Sequence, residues 1–87
     1  MDKAKLIEII YAALPYSNQI TGVSLDEEDA VRFAWRGYTF RVTVSLFCEE
    51  VDGGPLNHSD LALLVETLLK RVWAEKEGES LCVKHQK

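Results

Sequence analysis

Near the start of the chain, apolar residues recur with helical spacing. Leu6, Ile9, Ile10 and Ala13 form one stripe, and Ile7 and Leu14 widen it. This pattern predicts an amphipathic helix from about Asp2 to Leu14, lying flat on a sheet. Asp2 can cap its first turn, and Pro15 ends it because a proline ring disfavours α geometry at the residue before it.

The spacing then switches to period two. Thr21, Val23 and Leu25 alternate with Gly22, Ser24 and Asp26. After the acidic turn Asp26 to Asp29, Val31, Phe33 and Trp35 alternate with Ala30, Arg32 and Ala34. Beyond Arg36-Gly37, Tyr38, Phe40, Val42, Val44 and Leu46 alternate with Thr39, Arg41, Thr43 and Ser45. Three strands are predicted, each rich in β-branched and aromatic residues. If Arg36-Gly37 is a two-residue turn, Trp35 faces Tyr38, Phe33 faces Phe40 and Val31 faces Val42. A slip of one residue would destroy all three apolar pairs. The same reasoning in the first hairpin places Leu25 against Val31, Val23 against Phe33 and Thr21 against Trp35. Cys48 is read as an apolar residue ending the third strand on the core face.

Glu49 to Pro55 is turn-rich. A second helix is predicted from the Asn57 cap, with Asp60 in its first turn and Leu56 and Leu61 placed as a hydrophobic staple. Leu61, Leu64, Val65, Leu68 and Val72 are its core stripe, with Leu69 and Trp73 on the flank. The helix is expected to end near Lys76, with Gly78 as its stop. The predicted fold is a single small α+β domain over residues 1–78, of α-β-β-β-α order. Its sheet is a three-stranded antiparallel meander with both helices packed on one face. Residues 79–87 are expected to be a frayed tail or, through Leu81-Cys82-Val83, a short extra strand. Double-stranded-RNA-binding domains have the same element order. The Lys-rich start of their second helix is replaced here by Asn57-His58-Ser59-Asp60, whose carboxylate would repel phosphate, so the likeness is one of topology.

Composition narrows the function classes more than it names one. The 87 residues are 47% apolar and 28% charged, within the range of globular domains. The net charge of −4 argues against a general electrostatic grip on nucleic acid. No apolar run approaches the ~18 residues of a membrane span. The N-terminal apolar run is broken by Glu8 and lacks a small-residue cleavage site. A cytoplasmic protein with reduced cysteines is therefore expected.

The chemistry-bearing candidates lie on the outer face of the predicted sheet. In the hairpin registers that face reads Gly22, Ser24, Ala30, Arg32, Ala34, Arg36, Thr39, Arg41, Thr43, Ser45 and Phe47. Arg32 and Arg41 fall directly opposite one another, an unfavourable like-charge pair that an incoming anion would relieve. The competing reading is an ordinary solvated face whose arginines are screened by Asp26, Glu28 or Glu49. Leu63 stands opposite the core stripe of the second helix and is a second contact candidate. Cys48, His58, Cys82 and His85 lack the paired spacing of a zinc site, and no cofactor is implied. The acidic turn lacks the ligand pattern of a calcium loop. No phosphate loop and no nucleophile–base pairing is visible. The expectation is a non-catalytic interaction or regulatory domain that binds itself or a protein partner. Arg32, Arg36, Arg41 and Phe47 would form its contact face, or an exposed strand edge would serve. The alternatives are a nucleic-acid module using the same arginines and an acidic nucleic-acid mimic.

Overall fold

The computed structural model describes residues 2–26, 29–51 and 59–85, with side chains of the last segment described over 60–77. Helix α1 (Lys3–Ala13) begins where predicted, because the Asp2 carboxylate accepts the Lys5 N–H at 2.9 Å. A 3-10 turn at Ser17–Gln19 leads into β1 (Ile20–Asp26), β2 (Ala30–Trp35), β3 (Tyr38–Thr43) and β4 (Cys48–Glu50). The long helix α2 (Ser59–His85) closes the fold. The four strands form one antiparallel sheet in the order β1-β2-β3-β4.

The α+β class stands, but the sheet has a fourth strand. β3 ends at Thr43, where a reading by alternation alone carries it on to Leu46. The chain turns because the Leu46 N–H donates to the Thr43 carbonyl at 2.8 Å, and Leu46 takes a left-handed φ of 69°. The Thr43 hydroxyl knits the turn, accepting the Phe47 N–H at 3.2 Å and bonding Ser45 Oγ at 2.8 Å. A left-handed conformation costs a non-glycine residue about 1–2 kcal/mol. Burying a leucine side chain contributes about 1.5–3 kcal/mol, and Leu46 is 4% exposed, so burial wins. Cys48 does sit in the core, but it opens β4 and pairs back with Val42.

The β2–β3 hairpin has the predicted register, with Trp35 opposite Tyr38, Phe33 opposite Phe40 and Val31 opposite Val42. Arg36 (φ 54°) and Gly37 (φ 89°) make the turn with both central residues left-handed, the geometry that matches strand twist. The first hairpin departs from the alternation. Leu25 faces Val31 as expected, but a bulge between Thr21 and Ser24 shifts the remainder. Gly22 at φ 62° accommodates it. Ile20, not Thr21, therefore meets Trp35 and is buried.

The core is one cluster. Leu6, Ile9 and Ile10 of α1 and Ala62, Val65 and Leu69 of α2 pack with the inner sheet residues Val31, Phe33, Trp35, Phe40 and Val42. Phe33 and Phe40 meet with ring centroids 5.6 Å apart. The Trp35 indole donates to the Pro15 carbonyl at 2.9 Å, tying the end of α1 to the sheet. Leu64 is half exposed rather than part of the core stripe. Trp73 is partly buried at the core edge, with Lys5 Nζ 5.7 Å from its ring centroid. α2 continues through Gly78 to His85 instead of stopping there, although a mid-helix glycine costs about 1 kcal/mol relative to alanine. The expected Asn57 cap and Leu56 staple lie outside the described residues. Among the described residues, no helix is long and apolar enough to cross a membrane.

Candidate functional site

Arg32 and Arg41 stand opposite each other on the outer face, as their register requires. Their repulsion is answered from within the chain. Both Nε atoms converge on the same oxygen of Asp26, at 3.1 Å from Arg32 and 2.8 Å from Arg41. Arg41 also lies 3.6 Å from Glu49, its neighbour across the β3–β4 ladder. The hydrogen bond to Asp26 raises the Arg41 pKa further above an already high ordinary value. The anion that this pair calls for is therefore the carboxylate at the end of β1, delivered by antiparallel pairing.

Arg36 is separated from these two. It sits in the β2–β3 turn with its guanidinium 4.9 Å from the Tyr16 ring centroid and 6.0 Å from that of Trp35. That arrangement is a cation–π contact that occupies the faces of the charged group. The three arginines thus form one internally bridged pair and one stacked turn residue, not a continuous basic face.

Phe47 is placed elsewhere. It follows the β3–β4 turn and is 53% exposed. It lines an open groove of about 430 Å³ between β4 and the first turns of α2, together with Cys48, Glu49, Glu50, Asp60, Ala62, Leu63 and Glu66. Leu63 faces it from the helix side and is 59% exposed. Two large apolar side chains thus flank one concavity, and four carboxylates line it.

The geometry of the groove follows from the β3–β4 ladder. Thr43 N–H donates to the Phe47 carbonyl and Val51 N–H to the Thr39 carbonyl, each at 3.0 Å. Antiparallel pairs alternate between bonded and unbonded, so the Cys48 N–H points away from β3. It meets Glu66 Oε1 at 3.4 Å, so α2 caps this edge position with a side chain. Glu66 is held in turn by Lys70, whose ammonium donates to Oε2 at 2.9 Å. That bond, aided by the Cys48 N–H, keeps the Glu66 carboxyl below its ordinary pKa against some desolvation. Lys70 pairs with Glu66, and Arg41, already bound to Asp26, also reaches Glu49.

Cys48 is the thiol of the groove. Burial pushes its pKa up to about 12, and the nearby Glu66 and Glu49 charges add to the shift. A thiol in that state is protonated at neutral pH and is a poor nucleophile and metal ligand. Among the described residues, no group of three or more His, Cys, Asp and Glu side chains is placed to hold a metal ion. The side chains of His58, Cys82 and His85 lie outside the described residues.

Sequence reasoning named both groove walls, Phe47 and Leu63, without joining them. The missing signal is the turn at Leu46. Without it Phe47 belongs to the outer face of β3, and with it Phe47 comes to the mouth of a groove that α2 closes. No protein-family model, no curated protein and no solved structure matches this chain.

Proposed function

We propose that this chain is a non-catalytic interaction or regulatory domain, and that it takes an extended, cationic and apolar segment of a protein partner in the β4–α2 groove. The observation that carries this reading is the pairing of exposed Phe47 and Leu63 across a concavity lined by Glu49, Glu50, Asp60 and Glu66. Exposed aromatic and aliphatic side chains in a pocket supply the desolvation energy of a binding hot spot. The acidic lining contributes attraction and orientation for Lys or Arg side chains flanking the apolar anchor. Self-pairing of Arg32 and Arg41 with Asp26 weighs against the outer face as the docking surface, and equally against a nucleic-acid module built on those arginines. The protonated, buried thiol of Cys48 weighs against covalent catalysis in the groove.

A random peptide library displayed on phage, selected on the wild-type domain, tests the reading. Enriched peptides should carry a large apolar residue beside Lys or Arg. Their binding should fall at least about tenfold on Leu63→Lys or on Phe47→Ser, the cost expected of a pocket anchor. Failure to enrich any sequence would overturn the assignment. So would peptides that bind the two variants as well as wild type.

A further inference from the structure

A second surface lies on another side of α2. Leu61, Leu64, Leu68 and Val72 recur at helical spacing and share one flank of the helix. Leu61, Leu68 and Val72 are only partly buried against the core, and Leu64 is 50% exposed. The stripe therefore presents apolar surface that the domain's own core covers in part. Asp60 and Arg71 sit beside Leu64 on the solvent side of the stripe, four residues before it and seven after it, and both are exposed. Arg71 has a surface pairing with Glu75 at 3.6 Å, a contact that is open to solvent and costs little to exchange.

We propose that this stripe is a self-association surface, and that its occupant is α2 of a second copy of this chain in antiparallel orientation. Charge placement selects the occupant. With a two-fold axis near residue 66, Leu64 meets Leu68 of the other copy and Leu61 meets Val72. The same axis brings Asp60 of each copy beside Arg71 of the other, at both ends of the contact. A parallel pairing would instead set Asp60 against Asp60 and Arg71 against Arg71. Self-complementarity about a two-fold axis is what an isologous dimer requires. This surface is independent of the groove reading, although Asp60 borders both. Leu64 belongs to the stripe alone.

The stripe from Leu61 to Val72 covers about 16 Å of helix at 1.5 Å per residue. Contacts of that length fall among interfaces below about 1,200 Å², which form weak, reversible complexes, so the measurement spans about 10 µM to 1 mM protein. Sedimentation equilibrium of the full chain should show a concentration-dependent dimer for wild type and a monomer for Leu64→Glu. Asp60→Arg leaves two cations flanking the stripe and Arg71→Asp leaves two carboxylates, so each single variant repels its own copy and should be monomeric. Mixed in equal amounts, these two variants should restore the dimer as a heterodimer. That result depends on both charges, and misfolding of either variant could not produce it. The orientation is tested by the wild-type dimer, since a parallel pairing would set like charges together at both ends. A wild-type monomer throughout the range would overturn the proposal. A dimer indifferent to Leu64→Glu, or single variants that stay monomeric when mixed, would also overturn it.

Discussion

Cys48 offers the most quantitative test of how the groove is built. Burial beneath α2 and the Glu66 and Glu49 charges raise its thiol from an ordinary 9.0 to about 12. At pH 8 an ordinary thiol is about 10% ionised, whereas one with a pKa of about 12 is ionised to about 10⁻⁴, a ratio of ~1,000 in reactive thiolate. In a Cys82→Ser background, so that one thiol reports, Ellman's reagent should modify native Cys48 at least about a thousandfold more slowly than the urea-unfolded chain. The sign for stability follows from the same shift. Between pH 9 and about 12 the folded chain holds a proton that the unfolded chain releases. Stability is therefore unaffected by this group below pH 9 and declines above it, by at most about 1.4 kcal/mol per pH unit. Urea midpoints of the same variant at pH 7, 9 and 10 would measure that slope. Native modification within about tenfold of the unfolded rate would refute the account of the groove, because it would mean an accessible thiolate. It would also restore covalent chemistry as a reading of the site.

Two further expectations concern the sheet. Gly37→Ala should destabilise the domain by about 1 kcal/mol in urea titrations, since a side chain at positive φ costs about 1–2 kcal/mol and a stiffer unfolded chain returns part of it. An added Cβ at Gly37 meets nothing within 4 Å, so a loss above about 3 kcal/mol would mean the turn is not the one described. Asp26→Ala should release Arg32 and Arg41 from their common oxygen. The variant should elute from immobilised heparin at higher salt than wild type and unfold at a lower temperature in low salt. Unchanged retention would show that Asp26 does not neutralise the pair.

The β2–β3 hairpin was readable in advance because two independent local signals agree on it. The alternation of Val31, Phe33 and Trp35 against Tyr38, Phe40 and Val42 admits one register that buries every apolar residue. Arg36-Gly37 supplies a turn of the right length and handedness. The start and end of α1 were equally local, set by the Asp2 cap and by Pro15. Such features depend on a few neighbouring residues and on side-chain period, which the order of residues carries directly.

Tertiary structure decided the rest, and in each case long-range burial or pairing outweighed the local pattern. Val44-Ser45-Leu46 alternates like a strand and contains no glycine, asparagine or proline to announce a turn. The turn forms because it lets Leu46 enter the core and returns Cys48 against Val42. The bulge at Gly22 is favoured because it carries Ile20 to the buried side opposite Trp35. Arg32 and Arg41 could be seen facing each other from register alone. Asp26 could be named only as one of several carboxylates near enough to screen them, and the folded β1–β2 hairpin delivers both guanidiniums to one of its oxygens. Phe47 and Leu63 were each visible as apolar residues without a core role. Their meeting across a groove depends on β4, a strand that exists because of the turn before it and the helix that packs beside it. Order along the chain therefore determined the elements with local causes. The candidate site, made where distant elements converge, was determined by how those elements pack.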